Sequence, residues 1–74
     1  MTSAIRRTIV NHPPGTLLNV ASPVWGLKPG LTVKIHSYVK TSKGFEAKYT
    51  VGLMAYQIPV ANLQKVIEFG QLTK

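Results

Sequence analysis

Two histidines, His12 and His36, and two carboxylates, Glu46 and Glu68, are the residues of the 74-residue chain that could do acid–base or metal chemistry, and it contains no cysteine. General acid–base catalysis needs a titratable group poised near neutrality, usually tuned by a partner. These four residues show no short ligand spacing. No Gly-x-Ser-x-Gly elbow and no phosphate-cradling glycine loop accompanies them. The missing thiol removes disulfides, thiolate metal sites and thiol nucleophiles, and suits a reducing compartment. The expectation is a chain that is not an enzyme and needs no metal or cofactor. His36 reads as a polar side chain on a wet strand face, His12 before Pro13 as loop, and Met54 as core filler.

Cations are the abundant chemistry. Nine Lys and Arg face two acidic residues, a formal charge of +7, which attracts polyanions: nucleic acid, an anionic surface or an acidic protein. Lys34, His36, Tyr38, Lys40, Lys43 and Lys48 gather within one stretch, Thr32 to Gly52. Strand faces of small barrels bind single strands by stacking bases on aromatics while lysines track phosphates, and here Tyr38 would be the ring. The plainer reading of the same lysines is a solvated face that resists aggregation. Arg6 and Arg7 read as a basic arm for phosphates or as a frayed, charged terminus. Trp25 either closes the end of a core or stands out as an interface anchor.

The elements that must position these residues follow from punctuation and period. His12-Pro13-Pro14-Gly15 breaks any helix begun earlier, because proline fixes φ and pushes the preceding residue towards extended geometry. Residues 1–15 are therefore expected to form a basic N-terminal arm or a short strand, with Ile5 to Val10 as the strand. Thr16 to Val20 is a second strand candidate, and Ala21 to Gly30 is a loop rich in turn formers. From Leu31 the period is two. Leu31, Val33, Ile35, Ser37 and Val39 take one face, and Thr32, Lys34, His36, Tyr38 and Lys40 the other. After Thr41-Ser42-Lys43-Gly44 the alternation resumes, with Phe45, Ala47, Tyr49, Val51 and Leu53 against Glu46, Lys48, Thr50 and Gly52, which makes a β-hairpin. Residues 59–69 fit two forms. Apolar residues at 60, 63, 66 and 67, with Pro59 before and Gly70 after, suit a helix, while Val66-Ile67-Glu68-Phe69 suits a strand.

Tyr56-Gln57-Ile58-Pro59-Val60-Ala61-Asn62-Leu63 followed by Lys65-Val66-Ile67 resembles the closing segment of SH3 and SH3-like small barrels. Leu27-Lys28-Pro29-Gly30-Leu31 resembles the Pro-Gly entry into the first long strand of bacterial members. The resemblance covers residues 27 to 69 and implies an all-β, SH3-like small barrel of about five strands, with a 3₁₀ turn before the last strand. The barrel would span residues 16–69, leaving 70–74 as a C-terminal tail. Leu63 stands where the peptide-binding domains carry a tyrosine, and Trp25 lies upstream of the hairpin. Gln57-Ile58-Pro59-Val60-Ala61-Asn62-Leu63 is also similar to the ending of type II dihydrofolate reductases, which implies an oligomeric enzyme, but the tyrosine that follows the Ile in that family is missing.

The functional expectation is a non-enzymatic module that binds nucleic acid through the basic hairpin face. The alternative is an accessory subunit that docks by charge on an acidic protein or complex. The reductase-like enzyme stands third. No stretch reaches the roughly 18 apolar residues of a membrane span, so membrane insertion is not expected, and the chain reads as cytoplasmic, a monomer or small homo-oligomer.

Overall fold

A computed structural model describes residues 3–74 of the chain; residues 1 and 2 of the expected arm lie outside the described residues. In chain order the elements are α1 (Ser3–Asn11), β1 (Leu17–Val20), β2 (Thr32–Thr41), β3 (Gly44–Val51), β4 (Met54–Pro59), α2 (Val60–Glu68) and β5 (Leu72–Thr73). The strands form one antiparallel sheet in the order β4-β3-β2-β1-β5. The expected closed barrel is not formed. Closure requires the sheet's two end strands to pair, but β4 and β5 remain edges, and the chain between them is the helix α2 rather than a turn and strand.

The helical spacing of residues 60–69 therefore prevails over their β-branched composition. Val60, Leu63 and Val66 form one stripe that is 0–8% exposed, and burying that stripe on the sheet is worth more than the small propensity difference between Val or Ile and a better helix former. The helix starts after Pro59, whose φ of −58° and ψ of 139° are those of a non-helical cap. It ends in a Schellman motif: Gly70 takes a φ of +74°, its N–H donates to the Ile67 carbonyl at 3.0 Å, and the Gln71 N–H donates to the Val66 carbonyl at 3.1 Å. That reversal delivers Leu72 and Thr73 to the free side of β1, where they pair with Val20 and Asn19. Residues 70–74 are thus not a loose tail, since fully buried Leu72 belongs to the core.

The N-terminal segment is a helix rather than an arm or strand. Its half-buried or buried positions, Ala4, Ile5, Thr8 and Ile9, continued by buried His12 just past its end, recur at three- and four-residue spacing, the period of a helix stripe, and α1 packs against α2. It stops at Asn11, directly before the residue that Pro13 forces out of helical geometry.

The hairpin of β2 and β3 forms as expected, with one irregularity that decides the faces. Ile35 pairs with Tyr49 but Ser37 pairs with Lys48, so His36 is an extra residue in β2, a β-bulge. Before the bulge, Val33 and Ile35 point inward and are fully buried. After it the parity inverts. Tyr38 faces inward opposite buried Ala47, and Ser37 and Val39 turn outward opposite Lys48 and Glu46. The core is the inner face of the sheet (Leu18, Val20, Val33, Ile35, Ala47, Tyr49, Leu72) closed by the stripe of α2.

Candidate nucleic-acid interface

The helix α2 covers the inner face and α1 packs on α2, so the outer face of β2, β3 and β4 is bare. The register aligns Lys34 with Thr50 and Ala55, and Ser37 with Lys48 and Gln57, across these strands. In an antiparallel sheet, paired side chains share a face. Here they line an open groove of about 640 Å³, formed by His36, Ser37, Lys48, Thr50, Ala55 and Gln57 together with Tyr49 and Tyr56. Lys34 flanks it beside Thr50. The His36 Nε2 lies 3.1 Å from the Thr50 hydroxyl oxygen, a contact that holds the imidazole over the outer surface. Gln57 donates from Nε2 to the Glu46 carboxylate at 2.7 Å, which sets the acidic residue at the groove's border.

The bulge splits the residues that sequence alternation groups together. Lys34, His36 and Lys48 are exposed on the outer face. Tyr38 is not with them: its ring is on the inner side, and its hydroxyl donates to the His12 carbonyl at 2.5 Å, tying β2 to the end of α1. Burial pushes its pKa up to about 12. Lys40 follows Tyr38 to the inner side, exposed opposite Phe45, and Lys43 sits at the hairpin turn. Arg6 and Arg7 are exposed on α1, in the helical layer beyond the opposite face. Among the described residues, no Tyr, Phe or Trp side chain is registered on the outer face, so base stacking on Tyr38 has no place there.

Trp25 is a core-closing residue. Trp25 and Gly26, with φ of 51° and 76°, are the centre of a two-residue turn between Val24 and Leu27, which bridge each other. Positive φ at both central positions marks a type I′ turn. That geometry lays the indole on Tyr49 with centroids 5.0 Å apart, and Tyr49 stacks in turn on Tyr56 at 5.3 Å. Burial, and then the neighbouring Tyr56, raise the Tyr49 pKa.

Sequence alternation does identify Lys48 and Thr50 as wet-face residues. Ser37, Ala55 and Gln57 are the outer-face lining residues it misses, because their placement depends on the bulge and on the pairing of β4. Among the described residues, no three His, Asp or Glu side chains gather as a metal site, and no helix is long and apolar enough to cross a membrane. Comparison of the chain with protein-family models, curated proteins and solved structures finds no match in any of the three.

Proposed function

We propose that the chain is a non-enzymatic cytoplasmic module that binds the sugar–phosphate backbone of nucleic acid across its outer sheet face. The carrying observation is the uncovered groove in which His36 and Lys48 lie among the donors Ser37, Thr50 and Gln57, with Lys34 at its flank beside Thr50. Ammonium groups interleaved with hydroxyl and amide donors suit phosphate oxygens, and such contacts fix position without reading sequence. Tyr49 and Tyr56 border the groove from inner-side register positions and are already stacked on each other, which favours this backbone mode over base stacking. The five-stranded antiparallel sheet is compatible with an SH3-like small β fold, and we read the chain as an open variant of that type in which a helix takes the place of the last barrel turn.

The test is a titration with single-stranded and duplex oligonucleotides and with heparin at several salt concentrations, followed by amide shifts. Shifts are expected at Lys34, Ser37, Lys48 and Gln57. For single strands, Lys34→Ala and Lys48→Ala are each expected to reduce the slope of log affinity against log salt by about 0.7. Tyr38→Phe should leave binding unchanged. Shifts spread over Lys28, Lys65 and Lys74 as strongly as over the groove would reject the site. Tight binding only to an acidic protein would favour the accessory-subunit reading.

A further inference from the structure

The β4 edge carries the chemistry of a self-pairing strand. The β3–β4 hairpin closes through Gly52 and Leu53 between the paired residues Val51 and Met54. A two-residue turn makes its closing pair a hydrogen-bonded one, and alternation then makes Tyr49–Tyr56 and Ala47–Ile58 hydrogen-bonded pairs as well. The N–H and C=O groups of Ala55 and Gln57 consequently point out of the sheet, away from β3. Pro59, which has no N–H, occupies the next position of the same free edge, where a proline removes no bond from the existing ladder.

Apart from Pro59 at its end, β4 lacks the usual guards of an edge strand. No residue from Tyr49 to Gln64 is charged in a chain of +7, and the register of β4 against β3 runs without a bulge. The other edge, β5, is only two residues long and is followed by Lys74. The inner-side residues of β4 are also unfinished. Met54 is 60% exposed and Tyr56 40% exposed, and Tyr56 is the open end of the Trp25–Tyr49–Tyr56 stack.

We infer that two copies of the chain associate through β4, antiparallel about a two-fold axis at Tyr56, to make a continuous ten-stranded sheet. One register satisfies every feature. Ala55 of each copy lies opposite Gln57 of the other, and these pairs exchange the free N–H and C=O groups. Tyr56 faces Tyr56 in a non-hydrogen-bonded pair, where side chains approach most closely, and the two aromatic stacks join. Met54 meets Ile58 on the same side. Shifting the axis to Gln57 would set Ala55 opposite Pro59 and forfeit a donor, so the Tyr56 register is preferred. Charge permits the approach: the two Lys48 residues stay about three strand spacings apart, roughly 14 Å, beyond the screening length of about 8 Å at physiological salt. A two-fold axis perpendicular to the sheet puts both outer grooves on one side, and the association is independent of what those grooves bind.

Sedimentation of the unmodified chain over a wide concentration range tests this. A reversible rise from 8.1 kDa to twice that mass is expected. Ala55→Pro removes an edge donor while leaving the β3 ladder intact, and should raise the concentration needed for dimer by about tenfold or more. Because the chain has no cysteine, Tyr56→Cys should oxidise to a linked dimer across the axis, where the strand separation matches a disulfide. Leu53→Cys, at the more exposed turn (103%) but off the axis, should link far more slowly. A mass of one chain at every concentration, or Leu53→Cys linking as fast as Tyr56→Cys, overturns the proposal, as does a dimer indifferent to Ala55→Pro. Amide spectra check the fold of each variant, and if Ala55→Pro is unfolded the cross-linking pair and the native mass decide.

Discussion

The two halves of β2 are one strand with opposite rules. From Thr32 to Ile35 the odd residues are core; from Ser37 to Thr41 the even-numbered Tyr38 is the inward one. A single extra residue at His36 separates them. Because side chains alternate with a period of two, one residue of slip exchanges every later side chain between water and core. The bulge thereby puts a hydrogen-bonding tyrosine under α1 and leaves Lys34, His36 and Lys48 on a face without Tyr, Phe or Trp.

Single-residue deletions should separate the two halves most sharply. Removing Lys34 puts the alternation of Val33 and Ile35 out of step, and the chain should fail to fold. Removing His36 should be tolerated, since Ile35 in, Ser37 out and Tyr38 in is already a regular alternation. Circular dichroism with two-helix content in the second variant and loss of cooperative unfolding in the first is the expected pair. Equal damage by both deletions would refute the bulge assignment. Next in size, Ile35→Ala in the first half should cost about 2–5 kcal/mol by leaving a cavity in a fully buried site, measured by denaturant unfolding.

In the second half the effects are smaller. Tyr38→Phe should cost about 0.5–1.5 kcal/mol, the net worth of the hydrogen bond to His12. The same residue predicts an alkaline dependence. Its pKa is raised from about 10 to about 12 in the fold, so the neutral form is the one the fold favours. Its contribution to stability is complete below about pH 10 and is lost as the pH climbs towards about 12. Tyrosine absorbance should show Tyr38 and Tyr49 ionising late in the native protein, and Tyr38→Phe should remove one of these late rings and flatten the fall in stability over that window. Least of all, Lys34→Ala and Lys48→Ala should change stability by about 0.5 kcal/mol or less, because both are exposed, while still lowering the salt slope of binding.

The candidate site was partly legible. Lys48 and Thr50 lie on the regular alternation of β3, and Lys34 on the regular half of β2. Tyr38 was misplaced, because nothing between Ile35 and Tyr38 in the sequence marks an inserted residue: a bulge needs no glycine or proline. Trp25 before Gly26 did carry a turn signal, yet the ring it meets, Tyr49, lies on another strand.

By itself the sequence determined the local elements that short-range physics controls. The Pro13 break, the β2–β3 hairpin with its polar turn, and the Gly70 stop all depend on neighbouring residues or on the preferences of one backbone position. The helical spacing of Ile5, Thr8, Ile9 and His12 was also present, although their β-branched members read equally as strand. Only the tertiary structure decided between those readings. A stripe such as Val60, Leu63 and Val66 becomes a helix when a sheet face is there to bury it, and that burial outweighs differences in propensity of a few tenths of a kilocalorie. The same long-range packing left the sheet open with β4 as a bare edge, because edges are set by which strands find partners, and pairing is a property of the assembled chain.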